Sequence, residues 1–347
     1  MGVIADCVLP MPLLTEKQAG LKPLVVLVGP TAVGKSRVAV EVARRFDTEV
    51  LAADSRQVYR GMDIGTDKPP VAERQGIPHR LLDLVEPDQP FNAGLYCRHA
   101  TEVIGRLYGE HRLPLVVGGT GLYVRTLVKG LCAAPPADPS VRARLRQEAR
   151  KEGPDQLYAR LVGVDPSSAS KLHPKDTSKV IRALEVYELT GRSMASFQDA
   201  HGFAERPYRA LLIGLLRDRE ALYRRIEERI DWQLAHGFVE ETQDLLARGC
   251  SRDCSAMKGL GYRQVAAYLS GECDRDEMVR RFKRDTRRFA KRQLTWFRSE
   301  PGIHWLSIDK QEPVPRTAQR VTELVDRFLE SLEDREEPAG SSADRAF

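Results

Sequence analysis

The sequence predicts an α/β fold, a parallel-sheet core with a helical insertion. Three observations carry that reading. The apolar run Val25–Val28 passes straight through a Gly-rich turn into a helical segment. Further apolar runs at 49–53, 113–117 and 209–215 alternate with helical stretches, the pattern of parallel strands joined by crossover helices. From about Ser140 to about Pro207 strand signals stop and only helical spacing remains.

Taken in order, residues 21–28 form the first strand and 35–46 the first helix. Between them lies Gly29-Pro30-Thr31-Ala32-Val33-Gly34-Lys35-Ser36, in the strand–loop–helix context of a phosphate-binding P-loop. Gly29 and Gly34 let the backbone turn tightly, so that successive N–H groups point into one concavity. The helix N-terminus adds partial positive charge. Lys35 reaches toward a terminal phosphate, and the Ser36 hydroxyl can hold Mg²⁺. The loop does not say which phosphates it holds: a nucleoside triphosphate, in a nucleotide-binding site of ATP type, is the default, and the rest of the chain argues against it.

The second strand, Glu49–Ala53, runs into Asp54-Ser55-Arg56-Gln57-Val58-Tyr59. Ligands of open α/β sheets sit at the carboxyl ends of the strands, which puts Asp54 beside the P-loop. Gly61–Pro70 is rich in turn residues and reads as a loop. His79–Leu84 reads as a short strand, Asn92–Glu110 as a helix and Leu113–Val117 as a buried strand. That strand ends in Gly118-Gly119-Thr120-Gly121, where a Walker-type ATPase carries an acidic residue that positions Mg²⁺. Small residues and a hydroxyl suit close approach of a substrate, or a tight strand-to-helix turn, better than activation of a water.

Ala133–Pro139 is a Pro-rich boundary. Beyond it, Val141–Lys151 is a charged helix, and Lys179–Thr190 places Val180, Ala183, Leu184, Val186 and Tyr187 at helical spacing. Arg209–Leu215 returns to a strand, and Asp218–Arg298 is helical around a turn at 258–264. The expected organisation is a loose extension at 1–20, a core of 21–136 and 208–330, a helical insertion at 137–207 and a disordered tail at 331–347.

The 347 residues carry a formal charge of +5, concentrated in Arg280–Arg284 and Arg287–Arg292. Such a basic block invites a polyanion. No apolar run approaches the ~18 residues of a membrane helix, and the first 20 residues lack the pattern of a signal peptide. The six cysteines are scattered without CxxC or histidine partners, as expected of reduced thiols in a cytoplasmic protein.

Several segments together resemble one family, the tRNA dimethylallyltransferases (tRNA isopentenyltransferases) of bacterial type. They are Gly29–Ser36, Asp54–Tyr59 with Gly61–Lys68, Gly118–Tyr123, Arg182–Val186, Gly261–Gln264 and Ala290–Arg298, in the family's order and approximate spacing. The resemblance implies a P-loop NTPase-like core, a helical insertion that grips RNA, and a channel through the core. Dimethylallyl diphosphate would enter one end and an anticodon-loop adenosine the other. It implies prenyl transfer to N6 of the adenosine 3′ to the anticodon (position 37) in tRNAs reading codons that begin with U. Diphosphate would be released, with Mg²⁺ and by a monomer. It assigns tRNA contacts to Asp54, Ser55, Arg56, Gln57, Thr120, Arg142, Ser178, Lys179, Val180, Ile181, Arg182, Gly261, Tyr262, Arg263 and Gln264. Where the family often has Gln-Arg, this chain has Ser178-Lys179, which keeps the charge and loses the planar guanidinium. The zinc finger that eukaryotic relatives often add is not seen in the sequence.

The chemistry of the residues agrees with that implication. The P-loop would hold a leaving diphosphate, with Lys35, Mg²⁺ on Ser36 and the N–H nest taking up its charge and Thr31 donating to the same group. Adenine N6 is a poor nucleophile that must lose a proton as it attacks. Asp54 is the carboxylate placed to take it, with Mg²⁺ ligation or helix capping as the alternative. Gln57 could read the adenine edge through a bidentate contact, and Thr120 would line the channel. Arg225 and Arg229, four apart on one helix face, suit diphosphate or RNA-backbone contacts, or a surface ion pair with Glu228. Arg142, just past the boundary, would stack on the splayed base or bridge to a phosphate. Prenyl transfer to free adenine nucleotides and phosphoryl transfer are the competing activities.

Overall fold

In a computed structural model, the structure describes residues 22–132, 134–201 and 206–333. The expected N-terminal extension, Cys7 and nearly all of the expected tail lie outside these. The chain divides into two compact units: one joins the segments up to Leu127 and from Tyr208 onward, and the other is Val128–Pro207. The helical unit thus begins at Val128 rather than at residue 137.

The first unit is built on a six-stranded sheet. Its strands are β1 (Lys22–Val28), β2 (Val50–Ala53), β3 (His79–Arg80), β4 (Leu115–Gly118), β5 (Tyr208–Arg217) and β6 (Ile303–Ile308), in the order β3-β2-β4-β1-β5-β6. All pairings are parallel. β1, β2 and β4 are continuous apolar runs because helices cover both faces of a parallel sheet. Leu24–Val28 are all at most 1% exposed, each contributing the ~1.5–3 kcal/mol expected of a fully buried aliphatic side chain.

Around the sheet lie α1 (Lys35–Arg45), α2 (Ala93–Gly109) and α3 (Gly121–Lys129), the last crossing the boundary between the units. α2 starts where Asn92 accepts from the backbone N–H of Leu95, an ordinary N-cap. The β3 strand is shorter than expected because Leu81 and Asp83 take positive φ. Glu49, at the entry to β2, ties three elements together. It is buried, and accepts from Arg80 of β3, Arg106 of α2 and Arg112. Burial alone would raise its carboxyl. The guanidinium hydrogen bonds and charges outweigh that and hold it at about 2.

The second unit contains α4 (Pro139–Glu152), α5 (Pro154–Val164), the short α6 (Pro166–Ala169), α7 (Thr177–Thr190) and α8 (Met194–His201). Its core is formed by Leu145, Leu157, Leu161, Val180, Ile181, Ala183 and Leu184. Glu185 of α7, fully buried, accepts from the Asp138 backbone N–H, from Arg142 and from Arg182, whose other nitrogen reaches the Pro135 carbonyl.

After β5 the chain forms α9 (Arg219–Ala235), α10 (Phe238–Ala247), α11 (Tyr262–Leu269) and α12 (Arg275–Arg298). The helical stretch expected from Asp218 onward is also broken at Gly237, before the expected turn; Gly237 sits at φ 96°. β6, unforeseen from the sequence, is an edge strand with only Ile308 buried, so it lacks the apolar run that marked the others. α13 (Val314–Glu333) follows and packs on α1, burying Ala318, Val321 and Val325. It carries the chain in regular helix past the point where the tail was expected to begin.

Candidate active site

Register puts the ends of three strands, β1, β2 and β4, side by side, with β5 running on beyond them. Val28 of β1 pairs with both Gly118 of β4 and Gly214 of β5, and Ala53 of β2 pairs with Gly118. The loops after β1, β2 and β4 therefore emerge together, at the position where open α/β sheets bind ligands.

The loop after β1 has the shape of a phosphate cradle. Ala32 (φ 63°) and Gly34 (φ 111°) turn it into the N-terminus of α1. Lys35 folds across it, Nζ donating to the carbonyls of Gly29 at 2.9 Å and Pro30 at 2.8 Å. Burial pushes the ammonium down to about 8, against the pull of Asp54's charge. Arg229 lowers it further, and Asp67 opposes. Arginines from β5 and α9 converge on the same loop. Arg217 donates to the Val33 carbonyl, Arg225 to the Ala32 carbonyl, and Arg229 to Thr31 Oγ1 at 2.8 Å. Arg229 pairs with Asp67 rather than with Glu228. Its Nε is buried without a partner.

Asp54 opens the turn after β2. Its Oδ1 accepts from the N–H groups of Arg56 at 2.8 Å and Gln57 at 3.4 Å, and Oδ2 takes no part in these bonds. Thr120, after β4, accepts from the Ser55 N–H at 3.0 Å, and its own N–H donates to the Ala53 carbonyl. The Asp54 turn and the Thr120 turn are thus bonded to each other.

The glycines flanking Thr120 make room for side chains of α12, a packing reason unforeseen from the sequence. A Cβ at Gly119 would stand 2.3 Å from Gln293 Nε2, and one at Gly121 would stand 2.1 Å from Trp296 Nε1. Both slots are filled by side chains of α12.

Gln57 does not present its amide for a bidentate contact. Nε2 donates to the carbonyls of Thr66 at 3.2 Å and Asp67 at 3.1 Å. The loop it holds is clasped from the other side by Glu241, which accepts from the N–H groups of Asp63, Ile64 and Gly65 and from the Tyr262 hydroxyl. Arg56 spends one guanidinium nitrogen on the Ser255 carbonyl.

The expected RNA contacts divide by burial. Tyr262 and Gln264 lie inside. Tyr262 is 1% exposed on Glu241, and Gln264 bonds the Gly261 N–H and Asp285. Val180 and Ile181 are core residues of the helical unit. None of these four side chains can face RNA, because each is buried inside its own unit. Arg142 is likewise not a free stacking group: Nε and Nη2 both donate to Glu185. Arg182 is committed to the same carboxylate. Ser178, Lys179 and Arg263 remain exposed, Lys179 beside Asp176 and Arg263 beside Asp285. Much of the basic block on α12 is paired: Arg280 and Arg281 with Glu277, Lys283 with Asp231, Arg284 with Asp285 and Arg287 with Glu227.

Residues missed from the sequence are Arg217, Glu241 and Gln293. Gln293 had a signal: Phe282, Thr286, Ala290, Gln293 and Phe297 form the buried stripe of α12, and a long polar side chain in such a stripe needs partners.

Fold and loop together define a P-loop α/β protein with a helical unit inserted in its chain. A family model described as IPP transferase matches residues 57–300, and one described as isopentenyl transferase matches residues 22–87. A tRNA dimethylallyltransferase of Syntrophobacter fumaroxidans is 47% identical over 308 residues, covering 88% of this chain and 90% of that protein. One of Geobacter sulfurreducens is 49% identical over 290 residues, covering 83% and 93%. The solved tRNA isopentenylpyrophosphate transferase of Bacillus halodurans aligns with a TM-score of 0.69 at 36% identity, over 92% of this chain and 100% of that one. The chain belongs to the tRNA dimethylallyltransferase family.

Proposed function

We propose that this chain transfers the dimethylallyl group of dimethylallyl diphosphate to N6 of the adenosine 3′ to the anticodon (position 37) in tRNAs reading codons that begin with U. The C–O bond of the donor breaks, its electron pair leaves with diphosphate, and N6 forms the new C–N bond and gives up a proton. The observation that carries the reading is the neighbourhood of Lys35 and Asp54. Lys35, on the loop after β1, and Asp54, on the turn after β2, stand at the same end of the sheet with only β4 between their strands, and the charge of Asp54 acts on the Lys35 ammonium.

Lys35, Arg225 and Arg229 supply positive charge where the leaving group gains negative charge. The Thr31 oxygen accepts from Arg229, which leaves its own proton for a diphosphate oxygen. Asp54 would take the N6 proton at Oδ2 while Oδ1 keeps the turn in place. Ser178, Lys179 and Arg263 would contribute contacts to the RNA backbone. No helix among the described residues is long and apolar enough to cross a membrane. We place the reaction in the cytoplasm, carried out by a monomer.

Mg²⁺ fits this donor set. The Ser36 hydroxyl has no hydrogen-bond partner among the described residues. No group of three or more His, Cys, Asp or Glu among them could hold a metal by itself. A cation taking one or two protein oxygens and completing its shell from diphosphate and water is the habit of Mg²⁺. Ser36 would hold it, and it would supply charge compensation to the leaving diphosphate.

The reading is tested by diphosphate release. Release from dimethylallyl diphosphate should depend on Mg²⁺ and on unmodified tRNA. ATP hydrolysis without tRNA, and no prenylated adenosine, would contradict it.

A further inference from the structure

We propose that Gln293 is a positioning residue that fixes the donor loop against the turn carrying the base. The inference rests on the prenyl-transfer reading above and deepens it. Gln293 lies on α12, is 7% exposed, and makes two hydrogen bonds to loops far from it in sequence. Oε1 accepts from the Thr31 N–H at 2.9 Å, and Nε2 donates to the Gly119 carbonyl at 2.9 Å. The two partners fix which end of the amide points where. Gly119 has no room for a Cβ beside Nε2, so the slot admits this side chain and little else.

These bonds close a chain. The Thr31 amide is held by Gln293, Gln293 holds Gly119, the adjacent Thr120 hydroxyl holds the Ser55 N–H, and Ser55 adjoins Asp54. The distance from the cradle of the leaving group to the proton acceptor is thus set through one buried amide. The site needs one acceptor and one donor at fixed reach. Asparagine is a methylene too short, methionine offers neither bond, and a carboxylate sets an oxygen against the Gly119 carbonyl. A protonated carboxyl restores the pattern, its carbonyl toward Thr31 and its hydroxyl toward Gly119.

The test compares Gln293→Met and Gln293→Glu with the unaltered chain in single-turnover prenyl transfer at saturating tRNA and donor. Kd for each substrate and thermal unfolding are measured alongside. A misplacement near 1 Å costs on the order of 100-fold in rate. The expected result is a transfer rate ~10–100-fold lower in both variants at neutral pH, with each Kd within about threefold. The ratio of the Gln293→Glu rate to that of the unaltered chain should rise as the pH falls and the introduced carboxyl protonates. That acid rescue stands even where Gln293→Met fails to fold. Unchanged transfer rates, a loss confined to substrate affinity, or a pH-independent ratio for Gln293→Glu would overturn the proposal. Absence of prenyl transfer by the unaltered chain would instead overturn the reading on which it rests.

Discussion

Lys35 Nζ donates to the carbonyl oxygen of Gly29 at 2.9 Å, so the cation of the phosphate cradle is held by the cradle's own backbone. Burial keeps that ammonium near 8 in the free protein. A bound diphosphate favours the charged form and raises it. Between the two values, binding takes up a proton, so affinity falls as the pH rises. We expect the Kd for dimethylallyl diphosphate to be nearly flat below pH 8. Above it, the Kd should weaken by up to tenfold per pH unit. Calorimetric titrations from pH 6.5 to 9.5 check this, and a flat Kd across the range would show that Lys35 does not carry the anion.

Asp54 caps its turn through Oδ1 and, in the proposed reaction, would accept a proton at Oδ2. Asp54→Asn keeps an acceptor oxygen for the Arg56 N–H and loses the base. It should lower the single-turnover rate by ~10²–10⁴-fold, the usual size of a lost general base, with tRNA affinity little changed. Asp54→Ala should lose the same rate and about 1 kcal/mol of stability besides, from the uncapped turn. An intact rate in Asp54→Asn would confine Asp54 to the cap.

Arg142 answers to Glu185. Removing one partner of a buried ion pair leaves a charge without compensation. Arg142→Ala should cost ~1–3 kcal/mol of stability, since Arg182 still pairs with Glu185. Glu185→Ala should cost ~3 kcal/mol or more, since it strands two guanidiniums. Burial raises the Glu185 carboxyl, but Arg182 and Arg142 outweigh it and the net shift is downward. Its stabilisation is therefore complete above the ordinary carboxylate range and is lost as the pH falls below it. Denaturant unfolding of the full chain at pH 7 and pH 3 checks both signs. A weakened tRNA affinity with unchanged unfolding would return Arg142 to RNA contact.

What was legible in the sequence were features with a local cause. The P-loop announces itself because its turn chemistry and its flanking strand and helix are contiguous. The position of Asp54 at a strand end was legible too, since it directly follows the apolar run of β2. Strands buried on both faces wrote themselves as apolar runs, whereas the edge strand β6 did not. Partner choice was not legible. Glu185, Gln293 and Glu241 each satisfy groups tens to hundreds of residues away, and no spacing rule encodes that. The segment at 178–182 shows the same limit within five residues. Ser178 and Lys179 face out, while Val180 and Ile181 turn into the core, so a contiguous stretch cannot be one contact surface.

The most direct measurement is nucleoside mass analysis of unmodified tRNA incubated with the protein, Mg²⁺ and dimethylallyl diphosphate. The predicted result is one prenylated adenosine per acceptor tRNA, located 3′ to the anticodon and matched by one diphosphate released. Prenylation of free adenine nucleotides in preference to tRNA, or nucleotide turnover with the tRNA unaltered, would contradict it.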